Sequence, residues 1–153
     1  MNEYAQDGVR LERTGWRCQD ISEHHRTWGF DCPCVDLDFL VVEYNCGRAV
    51  ALVEYKRFNA RVQNYRHKTY EALAHLANGH SDGPLPLMVA YYWPDIWAFK
   101  VMPLNRTAGE WFGVNETITE REYVTRLYRM RGKVVDAFLA SGLRDELPKT
   151  AAA

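Results

Sequence analysis

Two short apolar runs separated by a turn give the strongest pattern along the chain. Residues 35–44 (VDLDFLVVEY) and 49–56 (AVALVEYK) are rich in β-branched and aromatic side chains, which favour a pleated, half-buried strand. Between them stand Asn45, Cys46 and Gly47, followed by Arg48. A three-residue hairpin loop of this kind ends on a residue in the left-handed region, where glycine fits without steric cost. Tyr44 then faces Arg48, Asp38 faces Glu54, and Asp36 faces Lys56. Side chains alternate along a strand, so all of these charged groups project to one side of the sheet. A two- or four-residue loop slips the register by one and sends Asp38 and Glu54 to opposite faces. Loop length is therefore expected to decide the site.

After Arg57 the period changes. Val62, Tyr65, Thr69, Leu73 and Leu76 recur at three- and four-residue spacing, which predicts a helix to about residue 77, stopped by Asn78-Gly79. A loop around Asp82-Gly83-Pro84 precedes two strands, over 87–93 and 96–102, joined through Pro94-Asp95. Residues 103–118 read as a long loop with room for one helical turn. Thr119 and Glu122 form a capping-box pattern, and a helix is expected from there to about residue 140, with Gly142 just past its end. Upstream, residues 2–13 predict a short helix weakened by Gly8, and residues 16–21 a short strand. Residues 22–33 read as irregular or briefly helical, closed by Pro33. This order predicts an α/β (α+β) fold with a mixed central sheet flanked by helices. No repeat or Pro/Ser linker interrupts it, so residues 1–147 read as one domain and 148–153 as a flexible C-terminal tail.

A chain of 153 residues with 47% hydrophobic and 25% charged side chains can bury a globular core, which excludes wholesale disorder. The formal net charge of −1 argues against coating nucleic acid by bulk charge, but permits a local basic groove. From Lys56 to His75 five basic residues (Lys56, Arg57, Arg61, Arg66 and Lys68) face one acid, Glu71, for a local +4. Arg121, Arg126, Arg129, Arg131 and Lys133 form a second cluster on the last predicted helix. Either cluster can track a phosphate backbone without reading sequence, or serve only as a solvated helix face. Trp93, Trp97 and Trp111 can stack bases, although core packing is the simpler use. No apolar stretch approaches the roughly 18 residues that span a bilayer. Residues 1–16 lack a basic region followed by an apolar run, so a cytoplasmic location is expected. Cys18, Cys32, Cys34 and Cys46 lack zinc-knuckle spacing and read as reduced, buried or half-buried thiols.

Nothing in strand energetics rewards two acids set side by side, and burying them unpaired is expensive. A divalent cation between Asp38 and Glu54 relieves the repulsion, as does sharing the charge with Lys56. Oxygen-only ligation with open water positions suits Mg²⁺. Such an ion lowers the pKa of its bound water and steadies a leaving oxygen, and a neighbouring Lys56 can orient that water or neutralise charge. The plain alternative is a surface ladder, Asp36 with Lys56 and Glu54 with Arg48 or Arg57, worth roughly 0–1 kcal/mol and without function. Glu23, His24 and His25 precede the acidic strand and are accessory candidates; a histidine there serves as base, ligand or phosphate contact, or is simply solvated. Arg131 falls on the stripe Val124, Leu127, Arg131, Val134, Phe138. It either points at a carboxylate across the core or lies along the edge with its head in water.

An acid on one hairpin strand (Asp38), followed on the next by Glu54-Tyr55-Lys56 after a hydrophobic run, resembles the core of the PD-(D/E)xK nuclease superfamily. The order helix, strand, hairpin, helix, strand is also similar to that family's. The resemblance implies a restriction-endonuclease-like core and metal-dependent hydrolysis of phosphodiester bonds, with DNA preferred. By it, Asp38 and Glu54 hold Mg²⁺ or Mn²⁺ with help from the Tyr55 backbone carbonyl, and Lys56 acts beside the attacking water. There are departures. Asp36-Leu37-Asp38 stands where Pro-Asp is usual, so Asp36 is a second candidate for the ligand. Many members add a Glu from the first helix, for which Glu12 and Glu23 are available. Gln63 stands where RecB-type members begin Gln-x-x-x-Tyr, but His67 replaces the tyrosine. Nucleases of this size often pair to cut two strands, so a homodimer is allowed, although no seam marks a partner surface. Residues 28–56 are also similar to short uncharacterised phage proteins. That likeness carries the alternative of a catalytically inactive nuclease-like module, a phage accessory or inhibitor protein, binding nucleic acid or a protein partner.

Overall fold

The hydrophobic runs of the hairpin become neighbouring strands in the computed structural model, which describes Asp20, Ile21, His24, Thr27, Trp28 and residues 37–61 and 64–149. Contacts divide the chain into two units, Met1–Asp36 and Leu37–Ala153. In the first, Asp20, Ile21 and His24 are helical, so the strand expected over 16–21 does not include its last two residues. The helix expected over 2–13 lies outside the described residues.

The second unit runs β1 (Phe39–Glu43), β2 (Arg48–Arg57), α1 (Lys68–Asn78), β3 (Leu87–Trp93), β4 (Ala98–Pro103), α2 (Arg106–Gly109), β5 (Glu116–Ile118), α3 (Glu120–Met130) and α4 (Ala137–Gly142). The five strands lie in sequence order in one mixed sheet, and only β2 and β3 run parallel. Parallel neighbours need a crossover, which α1 supplies. This is the α+β architecture that the pattern predicts.

Each face of the sheet has its own apolar core. On one, Val50, Ala51, Val53, Met88, Phe99 and Val101 meet Ala108, Phe112, Tyr123 and Met130. On the other, Leu52, Leu87 and Val89 meet Tyr70, Leu73 and Ala77 of α1. Fully burying a large aliphatic or aromatic side chain contributes roughly 1.5–3 kcal/mol, so both faces are strongly held. Alternation along β2 sends Tyr55 to the α3 face, where its hydroxyl meets that of Tyr123 at 2.7 Å. It sends Glu54 and Lys56 to the α1 face.

The hairpin reaches the expected register by a different route. Its loop is four residues, a tight turn over Tyr44–Cys46 closed by Gly47 at φ 64°. Phe39 faces Val53, Leu40 faces Leu52 and Val41 faces Ala51, but Val42 faces Ala49 and Glu43 faces Arg48. Val50 has no opposite residue; it is a β-bulge. A four-residue loop alone puts Asp38 and Glu54 on opposite faces, and the extra residue restores them to one. Loop length does not decide the site, because the bulge compensates for it. Cys46, expected to be at least half-buried, is exposed on the turn.

Two helices differ from expectation. α1 starts at Lys68, not near residue 62, because His67 caps it, its Nδ1 accepting the Thr69 N–H at 3.3 Å. Its buried face is Tyr70, Leu73 and Ala77, whereas Leu76 is 57% exposed, so the predicted stripe is rotated. α3 begins with the expected Thr119 cap, which accepts the Glu122 N–H at 3.2 Å. It ends at Met130, where Gly132 adopts φ 69°, and Val134 and Phe138 are 87% and 90% exposed instead of completing an apolar stripe. The physical reason is Gly132 in the left-handed region. On either side of it, Arg131 Nε donates to Glu43 Oε2 at 3.2 Å and Lys133 Nζ approaches Glu43 Oε1 at 3.2 Å, so a buried carboxylate holds the segment. Arg131 thus takes the first of its two expected roles.

Candidate active site

Asp38 stands one residue before the Phe39–Val53 pair and Glu54 one residue after it, so the hairpin carries both acids to the same end and the same face. Asp38 is exposed there. Lys56, two residues on, turns back so that its Nζ lies 2.5 Å from Glu54 Oε1, with side-chain exposures of 28% and 18%. Partial withdrawal from water leaves this pair less screened than a surface ion pair. Glu54 thus takes Lys56 as its partner and not Arg48 or Arg57 of the surface ladder, whose other half, Asp36 with Lys56, lies outside the described residues.

A tyrosine cluster covers the acid from the α1 side. Tyr70 Oη donates to Glu54 Oε1 at 3.4 Å, and Tyr65 and Tyr91 hydrogen-bond through their hydroxyls. Burial, then the charge and hydrogen bond of Glu54, push the Tyr70 phenol up to about 12, with the charge of Asp38 adding to the field. Burial and the Tyr91 contact push Tyr65 up as well. Both phenols are neutral donors near neutral pH. Tyr65 and Tyr70 also line an open groove of about 540 Å³, together with Arg66, Met102 and Leu104.

One further residue joins by topology. Lys56 pairs with Tyr91 across β2–β3, and Tyr91 with Lys100 across β3–β4, so Lys100 shares the face of Lys56 two strands away, about 10 Å. Neither the tyrosines nor Lys100 were signalled as site residues by the sequence. Tyr65 reads there as part of an apolar helix stripe, and Lys100 falls within a segment read only as a strand.

The remaining candidates are dispersed. Asp36, Glu12, Glu23, His25 and Gln63 lie outside the described residues. His24, in the first unit, is exposed and meets Trp28 edge-on at 5.6 Å. Arg57, Arg61 and Arg66 are exposed, and they stand at the end of β2 and in the connection to α1, not on a helix. Lys68 is 2.5 Å from Glu71. The second basic cluster is largely paired with carboxylates. Arg126 binds both Glu116 oxygens at 2.8 and 2.9 Å and Glu122 at 2.8 Å, Arg121 lies 3.3 Å from Asp145, and Arg131 and Lys133 hold Glu43. Those side chains do not form a free phosphate track.

Among the described residues no group of three His, Cys, Asp or Glu side chains gathers around one point. No described helix is long and apolar enough to cross a membrane. Comparison with protein-family models, curated proteins and solved structures gives no match.

Proposed function

We propose that the chain is a metal-dependent nuclease centred on Asp38, Glu54 and Lys56, with DNA as its preferred substrate. One arrangement carries this reading. Two acids share a face at the open end of a bulged hairpin, with an amine held against one of them and a groove alongside.

The donor set fits a hard cation. Asp38 and Glu54 offer carboxylate oxygens and Tyr55 a backbone carbonyl, the oxygen ligands that Mg²⁺ and Mn²⁺ take while keeping several waters. Bound there, the ion supplies Lewis acidity and a water of lowered pKa. Tyr70 fixes the Glu54 carboxylate as a neutral donor and does not act as a base. Lys56 places its side-chain nitrogen where negative charge builds on the phosphoryl oxygens. Lys100 and Arg66 stand further out, where flanking phosphates are held.

The test is incubation of the full chain with single- and double-stranded DNA in Mn²⁺ or in EDTA. Cleavage is expected only with metal, and Glu54→Gln and Lys56→Ala each reduce its rate by about a hundredfold or more. Absence of metal-dependent cleavage by the wild type overturns the proposal, and cleavage surviving both substitutions reveals a contaminant. A second reading, an inactive module that binds nucleic acid or a protein, is favoured by one contact. The 2.5 Å approach of Lys56 neutralises Glu54 without any ion. In that case Mn²⁺ leaves the melting temperature unchanged, whereas the nuclease reading predicts that metal raises it.

A further inference from the structure

Where β2 and β3 end and β4 begins, four aromatic side chains stand in two stacked pairs. Phe58 lies flat on Trp93, with centroids 5.5 Å apart and planes at 14°. Trp97 lies flat on Tyr92, at 6.1 Å and 19°. In each pair one ring stays open to solvent: Phe58 is 45% exposed and Trp97 41%. The Trp97 backbone sits at φ 56°, a conformation that bulky residues rarely adopt, and its N–H donates to the Trp93 carbonyl at 2.6 Å. The Arg144 guanidinium donates to the Asp95 carbonyl of the same turn at 2.6 Å.

Position relative to the acids matters most. The Phe58 N–H donates to the Tyr92 carbonyl at 2.9 Å, which continues the β2–β3 ladder past Arg57. Phe58 and Trp93 therefore follow Lys56 and Tyr91 by two residues on the same face, about 7 Å away, a separation that one extended nucleotide spans. Tyr92 and Trp97 flank the sheet end on its other face. From Lys56 to His67 the chain carries four lysines and arginines and no acid, and Arg57, Arg61 and Arg66 are exposed.

Flat exposed rings beside a run of cations fit a polyanion that presents its own flat faces. Unpaired nucleotides do so; a duplex hides its base faces in the stack and offers phosphates and groove edges. We infer that Phe58 and Trp97 form a stacking ledge for unpaired bases around the end of the sheet, Phe58 on the face of Lys56 and Trp97 on the other, so that the strand passing Phe58 toward Asp38, Glu54 and Lys56 is single-stranded or frayed. The strand's path past Lys56 rests on the nuclease reading; the stacking itself does not.

The experiment is titration of the full chain, in EDTA, with fluorescein-labelled oligodeoxythymidylate and with a duplex of equal length, read by anisotropy and by tryptophan fluorescence. The expected result is tighter binding of the single strand, weakened by salt and accompanied by quenching. Phe58→Ala and Trp97→Ala each lower that affinity by about five- to hundredfold. Phe58→Tyr and Trp97→Phe, which keep a ring, restore most of it, and circular dichroism melts confirm that all four variants fold. Equal or tighter duplex binding, alanine variants that bind like wild type, or equal quenching by polyglutamate overturns the ledge. Cleavage in Mn²⁺ that persists with unchanged single-strand KM in the alanine variants overturns the ledge and spares the nuclease. Ledge binding without any cleavage does the reverse.

Discussion

At Glu54 two neighbours compete for one oxygen, an amine at 2.5 Å and a phenol at 3.4 Å, and the phenol is the group whose ionisation burial has suppressed. Tyr70→Phe removes a donor from a half-buried carboxylate and is expected to lower stability by about 0.5–1.5 kcal/mol, read from urea melts. The same residue sets an alkaline limit. Its value is raised from 10.0 to about 12, so its share of stability is complete below pH 10 and is lost as pH climbs toward 12. Tyr123, pushed well above its ordinary value mainly by burial, adds to that loss. Unfolding free energy measured against pH should therefore fall across this window, and less steeply in Tyr70→Phe. Alternation along two β-branched strands makes Asp38, Glu54 and Lys56 readable from the sequence. The tyrosines are not readable, because an amphipathic stripe counts Tyr65 as core and leaves Tyr70 off the buried face it belongs to.

The elements were legible in kind and less so in their ends, and each miss has a local cause. His67 supplies a side-chain cap that periodicity does not register, so α1 starts late. β5 is only three residues long, too short to alternate visibly. α3 stops because Gly132 takes the left-handed region. An added Cβ at Gly132 meets nothing within 4 Å, so Gly132→Ala isolates the backbone term and is expected to destabilise by about 1–2 kcal/mol. Gly109→Ala, in equally open space within α2, should be neutral or stabilising by up to about 1 kcal/mol in the same thermal melts. Deleting Val50 is a sharper test of the hairpin. The facing pairs on either side of it are already set, so its loss straightens β2 without parting Asp38 from Glu54. Stability should drop by about 1.5–3 kcal/mol for a buried valine, while backbone NOEs between Leu40 and Leu52 persist.

Across the whole second unit, charge holds the periphery where the apolar cores give out. Glu43 joins the end of β1 to the segment after α3, and Arg126 joins α3 to the start of β5. Burial pushes the Glu43 carboxyl up, but Lys133 and Arg131 draw it below its ordinary 4.5 overall; Arg126 does the same for Glu116. Their contribution is therefore complete above pH 4.5 and disappears as pH falls through the lowered values. Acid unfolding followed by circular dichroism should show this limb, and Glu43→Gln should flatten it. Of these ties the sequence offers only Arg131 toward a carboxylate, without saying which; the partners of Arg126 and Lys133 are not evident there, because both read as members of one basic cluster.

The kink at Val50 also separates what happens at the hairpin tip from what happens at its mouth. Tyr44 is 87% exposed at that tip and Cys46 is exposed beside it, remote in register from the acids. A fluorophore on Cys46, or a short peptide spliced between Asn45 and Gly47, can report on or redirect the protein while the pairing around Asp38 and Glu54 stays undisturbed.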